Sequence, residues 1–279
     1  MSKIKVLIPT DFSVQAHFAW LMAQKLAEKI DLEVTFLHVI DTPSHVQLDK
    51  SGQPMSDGEN DISMYLRMQD VAKEKLGKLK EDYANTITSA IKFGPLTQTI
   101  CSTADGNFDL LIMGTRGARG IQEALSGSET QHVVRHCRIP VLSLMCNRSE
   151  LVIRNILLVH DFRLKENYDL KLLKAIQQAF GTKIHLLQIA ASNDRTDESQ
   201  LKQFMQDFVN DNHLSNTEFH VLKDSDVETG VMHFVQMKEM DMLCIGTHGR
   251  SGWKQLLSPS VAEKLVNHLF KPIITFNIH

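Results

Sequence analysis

The feature that most narrows what this 279-residue chain can become is that its pattern occurs twice. Residues 5–12 read KVLIPTDF and residues 155–162 read NILLVHDF, each a short apolar run closed by Asp-Phe. Residues 33–40 (EVTFLHVI) are answered by 183–190 (KIHLLQIA), and 108–117 (FDLLIMGTRG) by 240–249 (MDMLCIGTHG). The closing runs, 139–145 (IPVLSLM) and 271–277 (KPIITFN), each carry a proline near their start, where a strand tolerates the missing N–H. Order and type both recur, which marks an internal duplication. The duplication predicts two domains, residues 1–148 and 152–279, with the polar stretch 146–152 (CNRSELV) at their boundary. Each is the size of a small binding module.

Between the apolar runs lie segments of helical period at residues 14–29, 62–83, 168–180 and 201–208. In the first of these, Phe18, Leu21, Met22, Lys25 and Leu26 recur at three- and four-residue intervals. Alternating strand and helix is the signature of a parallel sheet, because parallel strands need long crossovers that pack on the sheet's faces. The expected class is α/β, as two tandem five-stranded parallel-sheet α/β sandwiches. The halves differ in one place. Asp11 and Gly114 are 103 positions apart, whereas Asp161 and Gly246 are 85 apart. Most of the excess is residues 41–61, DTPSHVQLDKSGQPMSDGEND, whose composition reads as a long loop. A loop of that length is either a lid over the first half's site or a surface insertion.

Charge and composition exclude several classes of partner. Thirty Lys+Arg against 33 Asp+Glu leave a formal charge of −3, so no broad basic field draws the chain onto nucleic acid or an anionic membrane. No apolar run approaches the ~18 residues of a membrane helix, and the first ten residues lack the apolar core of a signal peptide. The chain reads as cytoplasmic. Cys101, Cys137, Cys146 and Cys244 form no C-x-x-C pair and are expected as reduced thiols. Thirteen histidines include no H-E-x-x-H or comparable ligand spacing, so no dedicated metal site is expected.

An anionic ligand must therefore be met by local geometry, and the sequence offers one. Gly114-Thr-Arg-Gly117 follows the fourth apolar run of the first half. Nine residues later come Gly127-Ser128 and a helical stretch opening at Glu129. Glycines so placed can take φ > 0 and let backbone N–H groups approach an anion, while a helix start adds free N–H groups and a positive dipole end. In open α/β sheets ligands settle beyond the carboxyl ends of the strands, where Asp11 and Gly114 both fall.

Together, the PTDFS of residues 9–13, the LHVID of 37–41, the MGTRG of 113–117 and the GSETQHVV of 127–134 resemble the universal stress protein family. The duplication makes the chain similar to its tandem members over nearly its full length. The resemblance implies, for each half, a sheet of strand order 3-2-1-4-5, the adenine nucleotide alpha hydrolase-like fold. It also implies ATP as a ligand, since some members bind it and some do not. Carried over residue by residue, Asp11 matches the contact to the adenosine part, and Val39 a backbone contact to adenine. Pro9 and Thr10 would shape the same wall, with Met113 beside them. Gly114 and Gly117 match the first phosphate-loop glycines, and Gly127, Ser128 and Glu129 the segment that holds phosphate, with Thr130 a lesser candidate. Mg²⁺ would ride on the phosphates with few protein ligands. Single-domain members commonly dimerise through their last strands, so the tandem chain is expected to form an intramolecular pseudo-dimer through residues 139–145 and 273–278, with a further homodimer open.

Each residue also has a plainer reading. Asp11 could serve only to cap the helix beginning near Ser13. Ser128-x-x-Gln131 is a capping box that any helix start could carry, and Gly114 and Gly117 could serve only a turn. The second half departs from the pattern. After Gly246-Thr-His-Gly249 and nine residues it has Pro259-Ser260, keeping the capping box through Glu263 but losing the glycine. Proline has no N–H and a fixed φ, so this half is expected to bind ATP weakly or not at all. His160 also stands for Thr10, and Ala190-Ala191 for Ile40-Asp41. No G-x-x-x-x-G-K-[ST] loop, HIGH signature or SGGxD loop is present, and no catalytic residue is assigned. The leading expectation is an ATP-binding stress-response regulator, ahead of a scaffold that binds no nucleotide or a weak ATPase.

Overall fold

The computed structural model describes residues 3–43, 46–55, 62–83, 87–115, 129–163, 169–191, 195–248, 265 and 269–278. Its first half runs β1 (Ile4–Pro9), α1 (Val14–Ala27), β2 (Leu32–Asp41), α2 (Ser63–Asp82), β3 (Thr88–Gly94), α3 (Leu96–Ala104), β4 (Leu110–Gly114), α4 (Glu129–His136) and β5 (Val141–Leu144). The second half repeats the scheme with β6 (Asn155–Val159), α5 (Lys171–Phe180), β7 (Lys183–Ala191), α6 (Glu198–Asp211), β8 (Thr217–Asp224), α7 (Val227–Met237), β9 (Met242–His248) and β10 (Ile273–Ile278).

One ten-stranded sheet in the order β3-β2-β1-β4-β5-β10-β9-β6-β7-β8 holds the molecule together. Each half therefore has the expected order 3-2-1-4-5. Among the described strands, those within a half pair in parallel and β5 pairs antiparallel with β10, where Leu142 faces Ile274. The pseudo-dimer seam is thus built from the two closing runs. Two hydroxyls explain the buried polar residues along it. Ser143 Oγ donates to the Ile273 carbonyl and Thr275 Oγ1 to the Val141 carbonyl, each at 3.3 Å, so neither group is left unsatisfied.

Successive residues along the central strands enter opposite cores, which is why these strands read as continuous apolar runs. Val6, Ile8, Leu110, Ile112, Leu142, Ile156, Leu158 and Ile274 face the layer covered by α1, α2, α5 and α6. Leu7, Leu111, Val141, Leu157, Leu243 and Ile273 face the layer covered by α3, α4 and α7. The duplication extends to single atoms. Asp109 Oδ2 accepts from Lys5 N at 2.8 Å and Asp241 Oδ2 from Asn155 N at 2.8 Å, each pinning the start of a fourth strand to a first. The carbonyls of Pro140 and Pro272 accept from Leu111 N and Leu243 N at 3.0 and 2.9 Å. The prolines thus sit where only an acceptor is needed.

The reading of four reduced thiols is corrected. Cys101 and Cys137 are joined in a disulfide with their Cα atoms 4.8 Å apart, and only Cys146 and Cys244 are free. The partners are 36 residues apart, one on α3 and one just beyond α4, so no local motif announces the bond. Part of the long loop is also more ordered than its composition implied. Asp49 Oδ1 accepts from Ser51 N and Gln53 N at 2.7 and 2.9 Å, closing a small hairpin through Gly52 (φ 80°). Gln69 on α2 donates to Gln53 at 3.1 Å, fixing the hairpin to the helix. Among the described residues, no helix is long and apolar enough to cross a membrane.

Candidate functional site

The region beyond the carboxyl ends of β1 and β4, where open α/β sheets take ligands, is shaped first by the turn that follows β1. Thr10 N donates to the Leu37 carbonyl at 2.8 Å, extending the ladder one step, and the buried Thr10 Oγ1 accepts from Phe12 N at 3.0 Å. Phe12 is driven to φ 65°, a conformation that bulky side chains rarely adopt. Its ring lies 4.7 Å from His38 and beneath the Lys75 ammonium, 5.0 Å from the ring centre. His38 Nδ1 bonds to the Thr10 carbonyl at 2.7 Å. The turn is thus over-determined from both sides, the setting in which backbone strain persists.

Asp11 stands exposed on this turn. Its Oδ1 accepts from Ser13 N at 2.9 Å, while the α1 N-cap is Ser13 itself, whose Oγ accepts from Ala16 N at 3.3 Å. Asp11 therefore does not cap the helix directly, and the reading of it as the cap is corrected. Its second carboxylate oxygen shows no protein partner among the described contacts. Pro9 closes β1, and Val39 lies partly buried on β2, packed against the α3 and α4 layer. The Met113 side chain is 8% exposed and belongs to that core.

Gly114 has a different reason for being glycine than the one expected from sequence. It does not take a positive φ. A Cβ at this position would lie 1.9 Å from the Gln15 carbonyl oxygen, so the absent side chain is what lets α1 press against the end of β4. Gly117, Gly127 and Ser128 lie outside the described residues. α4 begins at Glu129, where the helix start was expected, and Thr130 in its first turn is buried. Asp41, carried in the same LHVID segment as Val39, turns out to cap: its Oδ1 accepts from Leu96 N at 3.1 Å, supplying the acceptor that the Pro95 N-cap of α3 lacks.

The second half builds the turn after its first strand with other chemistry. Asp161, the counterpart of Asp11, is buried and held by its own neighbour: Arg163 Nε and Nη2 reach Oδ1 and Oδ2 at 2.8 and 2.9 Å, a bidentate pair. Where the first half has Thr10, the buried His160 ring packs 5.5 Å from Phe162 and 6.0 Å from Phe208. Gln188, at the position of His38, accepts from Phe162 N at 3.0 Å. Phe162 carries no positive φ, and the turn lies folded into the core. Gly249, Pro259 and Ser260 lie outside the described residues.

Known proteins resemble the chain in the same two-part way. The sequence profile of the Universal stress protein family matches residues 4–144 and, a second time, residues 153–276. Universal stress protein MJ0577 of Methanocaldococcus jannaschii is 30% identical over 149 residues, half of this chain and 92% of that protein. Universal stress protein MJ0531 of the same organism is 29% identical over 140 residues, again half of this chain and 79% of its own length. Among solved structures, a universal stress protein from Archaeoglobus fulgidus superposes over 99% of both chains with a TM-score of 0.73 at 18% identity. That likeness extends the shared fold to both halves at once.

Proposed function

The chain belongs to the universal stress protein family, whose domain it carries twice, and on that premise we propose that it is an ATP-binding stress-response regulator with one nucleotide site, in the first half. The observation that carries this reading is the contrast between two equivalent carboxylates. Asp11 is exposed at the carboxyl end of β1 with one backbone contact, free to accept from a hydroxyl or amine of an adenosine. Asp161 already has both oxygens engaged by Arg163. Three Arg163 donors occupy most of the acceptor sites of this buried carboxylate, which leaves it little to offer a sugar.

The rest of the assignment follows the same logic. The backbone of β2 at Val39 borders the adenine, and Pro9, Thr10 and Met113 complete its wall. Gly114, Gly117, Gly127, Ser128, Glu129 and Thr130 lead from the end of β4 to the start of α4, where N–H groups meet phosphate. Backbone donors suit a chain of net charge −3. Mg²⁺ enters on the phosphates, because it keeps most of its waters and needs few protein ligands.

Titration of ATP, ADP and AMP into the full chain tests the reading, with Asp11→Ala, Asp161→Ala and Gly127→Pro as variants. One nucleotide per chain is expected, with about a tenfold or greater loss of affinity for Asp11→Ala and Gly127→Pro and none for Asp161→Ala. Equal affinity in all four proteins, or binding in none, overturns it.

A further inference from the structure

Strand pairing in the second half gathers three metal-ligating side chains that no local spacing reveals. His185 on β7 faces Glu218 directly across the ladder with β8, and His220 follows Glu218 by two residues, on the same face of that edge strand. The cluster sits beside Phe234 of α7, toward the amino-terminal ends of the strands and so at the opposite end of the sheet from a crevice of the Asp11 kind. His185 Nδ1 lies 3.0 Å from His220 Nε2 and 3.7 Å from Glu218 Oε2, and His220 Nε2 lies 3.5 Å from Glu218 Oε1. A tetrahedral ion with bonds of about 2.0–2.1 Å holds its ligand atoms about 3.3 Å apart. The two ring nitrogens and the carboxylate therefore stand within reach of one ion, Glu218 turning one oxygen toward each ring.

The His185 imidazole is held in a usable form, and the proton that His220 Nε2 donates to it at 3.0 Å is the one an ion would displace. Asn155 Oδ1 lies 3.1 Å from His185 Nε2, so that nitrogen carries the proton and Nδ1 turns its lone pair toward the cluster. An outer hydrogen bond of this kind is what orients metal-bound histidines. The His220 ring is fixed between the His185 ring at 5.3 Å and Phe234 at 4.9 Å. His220 and Glu218 are 18% and 39% exposed, which leaves the fourth position open to water. Lys238 and Lys183 pair with the same two oxygens of Glu218, holding the carboxylate in place but opposing any cation.

We propose that His185, Glu218 and His220 form a site for a first-row divalent ion, best matched to Zn²⁺, which fastens edge strand β8 to β7. Two imidazoles and one carboxylate suit Zn²⁺ rather than Mg²⁺ or Ca²⁺, which favour all-oxygen shells. The site is independent of the nucleotide reading, since none of its residues lies in the first half. Zn²⁺ titrated into untagged, chelator-stripped full-length protein, in competition with a chromogenic zinc chelator, gives stoichiometry and affinity; Co²⁺ in its place reports tetrahedral geometry through its visible spectrum. One equivalent per chain is expected. Affinity should fall at least about 100-fold in His220→Gln and in Glu218→Gln, and about 10–100-fold in Asn155→Ala, which acts only through His185. Lys238→Met should tighten binding. The two ligand variants change part-exposed side chains, and circular dichroism checks that they remain folded. Absence of saturable binding by the wild type, or binding that survives both ligand substitutions, overturns the proposal.

Discussion

At the scale of single residues, surroundings and not residue type set the task. Gly114 is the sharpest case. Because its Cβ would collide with backbone rather than with a flexible side chain, Gly114→Ala must push α1 off β4. Denaturant unfolding should show a loss of about 3 kcal/mol or more, toward the upper end for overpacking. The cysteines separate just as clearly. Cys244 is fully buried, and desolvation pushes its thiol well above the usual range, whereas Cys146 is part-exposed. Mass spectrometry after alkylation of the native protein should find label on Cys146 and none on Cys244, with Cys101 and Cys137 labelled only after reduction. Label on Cys101 or Cys137 without reductant would contradict the disulfide.

At the scale of elements, the disulfide ties α3 to the end of α4, the helix whose start carries the proposed phosphate segment. Closing a loop of that length removes unfolded-state entropy equivalent to about 3–4 kcal/mol, an upper value for the entropic account. Cys101→Ser should lower the melting temperature accordingly, and a reductant should reproduce the shift in the wild type but not in the variant. The elements differ in how far the sequence disclosed them. Strands β1, β2, β4 to β7, β9 and β10 were legible because burial on both faces writes them as apolar runs. Helices α1, α2, α5 and α6 were legible from period. α3 and α7 went unread: α3 is short and rich in Thr and Ser, and it begins at Pro95 with its cap supplied by Asp41, 55 residues away. The same limit hid the Cys101–Cys137 bond and the His185–Glu218–His220 cluster, since both are made by juxtapositions across strands or helices. Asp11 was visible as a candidate, yet its difference from Asp161 rests on Arg163, a residue that the family pattern does not mark.

At the scale of the whole molecule, the two apolar layers run through the seam without a break. One layer includes Leu142 and Leu144 of the first half together with Ile274 and Phe276 of the second. The halves should therefore unfold as one unit. Hydrogen exchange of β6 and β9 in Gly114→Ala, a first-half variant, should accelerate along with that of β1 and β4; unchanged protection in the second half would mean that the halves unfold separately. The antiparallel join of β5 to β10 also has a genetic meaning. An assembly of identical copies has one sequence for every copy, so any substitution that spoils one ligand crevice spoils all of them. A covalent pair joined through the same edges is released from that rule. Arg163 can engage one carboxylate and the histidine cluster can arise beside one edge strand while the opposite half keeps its own chemistry, and the two kinds of half are then present one to one in every molecule made.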